Sequence, residues 1–307
     1  MTPGASSAPQ HPDVGFWETY QPGFRFSRHP VGTQEFFREI EEHRYTLEPH
    51  IPEVVRFDDW EGKAVLEVGC GVATDGSRLA RAGALYTGVD ASPVAVELAQ
   101  KRFKQEGLTA SFAEATAANL PFPADSFDLV YSHGVIHHSD ETEAAVREFA
   151  RVLRPGGTAL VMVYHRSSLN YRFTILGVRR LMAAALLVPG ASGVLARAVG
   201  EDSEVLGGHR ALLRKHGLRY LADKQLFLSN NTDGPGNPLS KVYSRQEVER
   251  LFLTAFDAVE TEVRYLNLRL YPLGDKVAAT RLARRLERRI GWHLYVRATQ
   301  PSLPSAR

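Results

Sequence analysis

Between about residue 63 and residue 166 the apolar positions of the chain follow two alternating rhythms. Short continuous apolar runs bounded by turn residues read as buried strands: Lys63–Gly69, Leu85–Asp90, Thr109–Ala113, Phe127–Ser132 and Thr158–Tyr164. The segments between them carry helical spacing. Thr74 or Asp75 is expected to cap the first helix, and Gly83 to stop it. Ser92 caps the next, with Pro93 in its first turn and Val94, Leu98 and Phe103 spaced for one face. Asp140 is expected to cap a third helix, whose Val146, Phe149, Val152 and Leu153 face inward, before Pro155-Gly156-Gly157 turns the chain into the fifth strand. This alternation predicts an α/β fold, a parallel sheet with helices on both faces.

After Arg166 the rhythm breaks. A long segment with helical signals ends in the turn-rich run Asn230–Pro238, and so long an insertion is expected to be a functional cap. The alternation resumes at Ser244, which caps a helix to about Phe256, followed by strands at Asp257–Val263 and Trp292–Ala298. Ahead of the core, the aromatic segment Phe16–Trp60 contains a helix over Thr33–Tyr45 that either covers a cleft or simply packs on the main domain. Residues 1–15 are expected to be disordered. The expected organisation is a tail and helical lid over 1–60, a nucleotide-binding core over 61–166, a helical cap over 167–243, and a return to the core over 244–307.

Composition narrows the function classes. A chain of 307 residues, 44% hydrophobic, has ample material for a large core. A formal net charge of +2 gives no reason to expect a nucleic-acid partner. Arg281, Arg284, Arg285, Arg288 and Arg289 read as a solvated helix face. Cys70 is the single cysteine, which excludes internal disulfides and cysteine-held clusters and suits a reducing, cytoplasmic setting. The first residues have neither the basic start nor the apolar run of a signal peptide. The most apolar stretch, Phe173–Val188, is interrupted by Arg179 and Arg180, so no transmembrane segment is expected; a cap helix or an interfacial helix remains. A monomer or homodimer is expected.

The candidate chemistry starts at Val65-Leu66-Glu67-Val68-Gly69-Cys70-Gly71. Gly69 and Gly71 let backbone pass close to a ligand, and Asp90, at the tip of the next strand, is placed to accept hydrogen bonds from a ribose diol. An adenosine-like cofactor follows. The dinucleotide pattern G-x-G-x-x-G is incomplete, with Thr74 in the sixth position. Glu67 would repel a pyrophosphate but can meet an ammonium group. S-adenosylmethionine carries an ammonium, a sulfonium and a ribose without phosphate, and fits two acidic strand tips better than NAD does.

The chain resembles the class I S-adenosylmethionine-dependent methyltransferases, in particular the small-molecule, type 11 group. The resemblance is carried by Val65–Gly71, Gly88-Val89-Asp90-Ala91-Ser92, Leu120-Pro121-Phe122 with Ser126–Ser132, Gly134-Val135-Ile136-His137-His138, and Arg151–Gly157. It implies a Rossmann-like, seven-stranded, mostly parallel sheet. It also implies that Glu67, Gly69, Cys70 and Gly71 hold the methionine part of the cofactor, and that Asp90 binds the ribose with Ala91 beside the adenine. Ser132, at the tip of the fourth strand, counts with them. Where the family often places an acid for the adenine amino group, this chain has Thr116, followed by Ala117; Glu114 is a less favoured substitute. The family's third glycine is Ala73. The product would be S-adenosylhomocysteine.

Methyl transfer from a sulfonium is an in-line displacement, helped mainly by alignment and desolvation, with a base only where the acceptor must lose a proton. The candidate bases are His133, His137, His165 and Tyr164, with His138 expected to pack and bond near the start of the next helix. Trp17, Tyr20, Asp233 and Asn237 are candidate substrate contacts. The ending Ser132-His133-Gly134-Val135 differs from the Asn/Asp-Pro-Pro-aromatic run of amino-methylating enzymes, and no metal is expected. The reading is therefore methyl transfer to O, N or C of a small, largely hydrophobic molecule, with an NAD-binding oxidoreductase and a macromolecular methyltransferase as alternatives.

Overall fold

The computed structural model describes residues 14–19, 24–188, 190–199, 203–268, 274 and 280–300. Seven strands form one sheet: β1 (Ala64–Val68), β2 (Leu85–Asp90), β3 (Ser111–Glu114), β4 (Phe127–His133), β5 (Leu153–Tyr164), β6 (Ala258–Arg264) and β7 (His293–Thr299). Their spatial order is β3-β2-β1-β4-β5-β7-β6. Strands β1 to β5 pair in parallel, and β7 runs antiparallel to both of its neighbours. The expected seven-stranded, mostly parallel α/β architecture is observed. One boundary moves by several residues: β5 begins at Leu153, not Thr158, because Leu153 pairs with Phe127 and a register shift before Leu129 absorbs the Pro-Gly-Gly segment.

The uninterrupted apolar runs reflect burial on both faces of the sheet. Val65, Leu129, Tyr131, Leu160, Met162 and Tyr295 point to one face, under Leu79, Phe103 and Ile51. Leu66, Val68, Val130, Val161, Leu294 and Val296 point to the other, under Phe149 and Phe252.

Two helix starts differ from the sequence reading. Helix Thr74–Arg81 is entered through Ala73 in a left-handed conformation, and neither Thr74 nor Asp75 caps it. Their side chains serve tertiary partners instead: fully buried Arg102 donates to Thr74 Oγ1 at 3.1 Å, and Asp75 accepts from Arg44, Tyr45 and Tyr131. The third helix runs Thr142–Val152 with no side-chain cap, because a short turn at Ile136–His138 displaces its start past Asp140. Ser92 caps Pro93–Glu106 as expected, accepting from the Ala95 amide. Its buried face is Ala95, Ala99, Arg102 and Phe103; Phe103 is buried as expected and Leu98 packs half-buried, whereas Val94 is 43% exposed. Ser244 and Glu247 form a capping box on Arg245–Phe252.

Between β5 and β6 the chain forms helices at Asn170–Arg179, Arg180–Ala185, Ala191–Val199, Ser203–His216, Arg219–Ala222 and Lys224–Thr232. The first of these winds with the wide π pitch. Both ends of the segment are tied to the sheet edge: His165 N donates to Trp292 O, and Tyr243 N donates to Tyr164 O. Ile175, Leu186, Leu213, Tyr220, Phe227 and Trp292 form a separate small core there. Leu181 and Leu187 are exposed. No described helix is long and apolar enough to cross a membrane. The arginine-rich helix Arg281–Ile290 presents its arginines to solvent.

Candidate active site

The site forms where β1, β2 and β4 end. Gly69 N and Cys70 N donate to Val89 O at 2.8 and 3.0 Å. Gly71 N donates to Asp90 Oδ2 at 2.8 Å, and Ser92 N to Asp90 Oδ1 at 2.9 Å. The loop after β1 is thus braced against the tip of β2 through its own backbone amides, which reach the Val89 carbonyl and the Asp90 carboxylate. Gly69 (φ 73°) and Gly71 (φ 53°) adopt left-handed conformations. A Cβ on Gly69 would lie 2.3 Å from Val135 Cγ2, while one on Gly71 would meet open space. The first glycine closes the fold and the second opens it to a ligand.

Two chambers meet at this loop. The first, about 220 Å³, is lined by Gly69, Gly71, Asp90, Ala91, Thr116, Ala117, Trp17, His133 and His138, among others. Among the described residues, its lining carries the carboxylates of Asp90 and Glu141 and neither lysine nor arginine. The second, about 280 Å³, lies under helix Gln34–Leu47 and is lined by Phe24, Phe26, Ile40, Leu47, Arg44, Glu48, Glu67, Cys70 and Asp75. Gly69, Gly71 and His133 belong to both.

The floor of the second chamber is strongly polar. Asp75 is buried and accepts from Arg44 Nε and Nη2 at 2.9 and 2.6 Å and from the hydroxyls of Tyr45 and Tyr131 at 2.8 Å each. Burial works to raise this carboxyl, but the Arg44 guanidinium and the two tyrosine hydroxyls hold it below the usual range. Glu67 receives one hydrogen bond, from Tyr86 Oη at 2.6 Å. Burial, reinforced by the negative charge of Asp75, pushes Glu67 up to about 8. Burial also raises Asp90, against the backbone amides that favour its charged form. Burial, with Arg44 and His50 nearby, lowers His133 well below the ordinary imidazole value and keeps it neutral.

Of the residues singled out in the sequence, Glu67, Gly69, Cys70, Gly71, Asp90, Ala91, Thr116 and Ala117 line one chamber or the other, as does His133. Ser132 is fully buried outside the linings, with an unpartnered Oγ. His137 is fully buried, both ring nitrogens without a partner among the described residues, its ring tilted against that of Tyr164. His165 is buried with Nδ1 3.1 Å from Gly291 O, and the Tyr164 hydroxyl donates to Asp233 Oδ1 at 3.2 Å. Trp17 walls the first chamber and meets the His138 ring edge-on. Tyr20 lies outside the described residues. Asn237 is buried in its own loop, donating to Ser240 Oγ at 3.0 Å.

His138 was set aside in the sequence, yet it lines the first chamber. Its Nδ1 is 2.8 Å from Leu239 O, so it donates there, and Nε2 stands 3.4 Å from Asp233 Oδ2. Leu239 and Asp233 lie roughly a hundred residues further along, and no local pattern announces the pairing. Arg44, Asp75 and Glu48 are likewise invisible as a group in the sequence.

The match to a family profile described as a methyltransferase domain covers residues 66–161, the segment that builds the loop, β2, β4 and most of β5. Over this segment the chain is similar to methyltransferase domains. The domain is 42% identical over 105 residues to methyltransferase GfsG of Streptomyces halstedii, an alignment covering 33% of this chain and 38% of that protein. It is 30% identical over 125 residues to a ubiquinone biosynthesis O-methyltransferase of Methylocella silvestris, covering 41% and 49%. The alignments therefore span less than half of these relatives. Magnesium protoporphyrin IX methyltransferase (ChlM) of Synechocystis, solved with S-adenosylhomocysteine bound, superposes over 94% of this chain and 97% of its own at a TM-score of 0.51 and 15% identity, a likeness of fold.

Proposed function

We propose that this chain transfers a methyl group from S-adenosylmethionine to a small organic molecule with an apolar body and a nucleophilic oxygen, releasing S-adenosylhomocysteine. The observation that carries the reading is the donor set of the joined chambers. A bare-backbone loop lies between the Asp90 and Glu67 carboxylates, and among the described residues the nucleoside chamber is lined by no lysine or arginine to neutralise a pyrophosphate. Such a site favours a cation over NAD.

When bound, S-adenosylmethionine supplies a methyl group already activated on a sulfonium. The chain supplies the rest. Asp90 offers its oxygens to the ribose hydroxyls while its amide bonds keep it fixed. Ala91, Thr116 and Ala117 border the adenine, with the Thr116 hydroxyl as a polar contact. Glu67, rigid against Tyr86, meets the ammonium end. Phe24, Phe26, Ile40 and Leu47 give the acceptor an apolar wall that excludes water, and Trp17 closes the first chamber. Where the acceptor's oxygen reaches past the shared Gly69–Gly71 loop into the first chamber, His138 takes its proton at Nε2, and Asp233 steadies the resulting imidazolium. The oxygen acceptor draws support from the relative named as an O-methyltransferase.

Isothermal titration with S-adenosylmethionine, S-adenosylhomocysteine and NAD tests the cofactor. Incubation with methyl-labelled cofactor and panels of phenols, carboxylates and amines tests the acceptor. Binding of NAD without S-adenosylmethionine overturns the first half, and label on amines alone overturns the second.

A further inference from the structure

Glu48 follows helix Gln34–Leu47, His133 ends β4 and His293 begins β7. The sheet brings the two histidines together. His133 pairs with Met162 and Tyr164 pairs with His293, so antiparallel β7 starts at the edge where parallel β4 stops. One ligand atom from each of the three residues lies within 4.8 Å of the others. Glu48 Oε2 is 3.6 Å from His133 Nε2, and Glu48 Oε1 is 3.7 Å from His293 Nε2.

The outer nitrogens are already held. Tyr131 gives its one proton to ionised Asp75, so at 3.1 Å from His133 Nδ1 its oxygen accepts. His133 therefore carries its proton on Nδ1 and turns the Nε2 lone pair toward Glu48. His293 Nδ1 is 3.1 Å from His50 Nε2, which leaves its Nε2 facing the same carboxylate. Imidazoles anchored at one nitrogen with the other converging on a carboxylate are the arrangement expected around a metal. An ordinary ion pair explains Glu48 poorly. Arg44 Nη1 stands 3.5 Å from Oε2, but that guanidinium is already matched by two bonds to Asp75, and Glu48 Oε2 is buried without a hydrogen bond.

We propose that Glu48, His133 and His293 bind a divalent transition-metal cation of the zinc or ferrous-iron class. Two imidazoles and one carboxylate suit these ions better than magnesium or calcium, which prefer oxygen ligands. Bond lengths of about 2.0–2.2 Å place tetrahedral ligand atoms about 3.4 Å apart, so each glutamate–histidine pair has only a fraction of an ångström to close. Glu48 and His133 line the second chamber, so the open coordination positions face it. Only the next step rests on the methyl-transfer reading: a cation there would hold the acceptor through an oxygen other than the one methylated.

The test is a titration of the chelator-treated chain with Zn²⁺ and Co²⁺, read by bound metal after dialysis and by the visible absorption of Co²⁺. One equivalent per chain is expected. Glu48→Gln, nearly isosteric, and His293→Ala should each lose it, Tyr131→Phe should weaken binding about 10- to 100-fold by releasing His133, and exposed His29→Ala should leave it unchanged. Sub-stoichiometric metal in the wild type, or an unchanged Co²⁺ spectrum in circular-dichroism-verified Glu48→Gln, overturns the site. S-adenosylmethionine titrations of the same samples are read separately, so loss of metal with intact cofactor binding sinks the cation site alone.

Discussion

Replacing Glu67 by glutamine should stabilise the cofactor-free protein and cripple its grip on the cofactor, and the stabilisation should depend on pH. In the folded chain burial pushes Glu67 up to about 8, against an ordinary value of 4.5. Below about pH 4.5 the group is protonated in both folded and unfolded chains and costs nothing. As pH rises, the unfolded chain gives up its proton and the folded chain keeps it, so stability falls until the pH passes the folded value. At about 1.4 kcal/mol per unit the difference bounds the loss at about 5 kcal/mol, and water drawn toward a destabilised carboxylate reduces it to about 2–3 kcal/mol. Glutamine carries no such proton and still accepts the Tyr86 hydroxyl bond. Urea unfolding at pH 5 and pH 8 should therefore show the margin of Glu67→Gln over wild type widening with pH. In calorimetry at pH 7, wild type should release a proton as it takes up S-adenosylmethionine, whose ammonium restores the carboxylate, and the binding heat should follow the buffer's ionisation enthalpy. The variant should bind weakly and release none. A margin equal at both pH values, or wild type gaining on the variant as pH rises, refutes the reasoning.

Gly69→Ala forces a left-handed alanine against Val135 and should cost about 2–4 kcal/mol in chemical denaturation, with Val135→Ala in the same chain recovering the overpacking part but not the backbone part. Arg44→Leu leaves Asp75 charged and buried and should cost about 3–5 kcal/mol near neutral pH. Wild-type Asp75, held low, contributes stability that is lost as pH falls through its folded value; in Arg44→Leu protonation relieves the penalty instead, so the gap between the two should narrow in acid melts. Asp233→Asn keeps an acceptor for Tyr164 but removes the charge beside His138, and should lower kcat about 10²-fold or more while cofactor affinity stays within a few-fold, measured by turnover and calorimetry on one preparation. An unchanged kcat removes the pair from the reaction.

The chain by itself determined what is local. Apolar runs, Gly69 and Gly71, the Ser92 and Ser244 caps and the acid at Asp90 lie within a few residues of the elements they shape, so their spacing identified the sheet and the glycine loop after β1. Tertiary structure decided the rest. Thr74 and Asp75 look like caps and are not, because Arg102 and Arg44 reach them from other helices. The apolar positions Ile175 and Leu186 belong to the insertion's own core, and the second chamber is walled instead by Phe24, Phe26 and helix Gln34–Leu47. Glu48, His133 and His293 span most of the chain, and only the reversal of β7 beside β5 brings them to one edge. Sequence encodes such meetings through sheet register and packing, which depend on every strand at once, and a burial-driven change of protonation such as that of Glu67 exists only after the walls around it have closed.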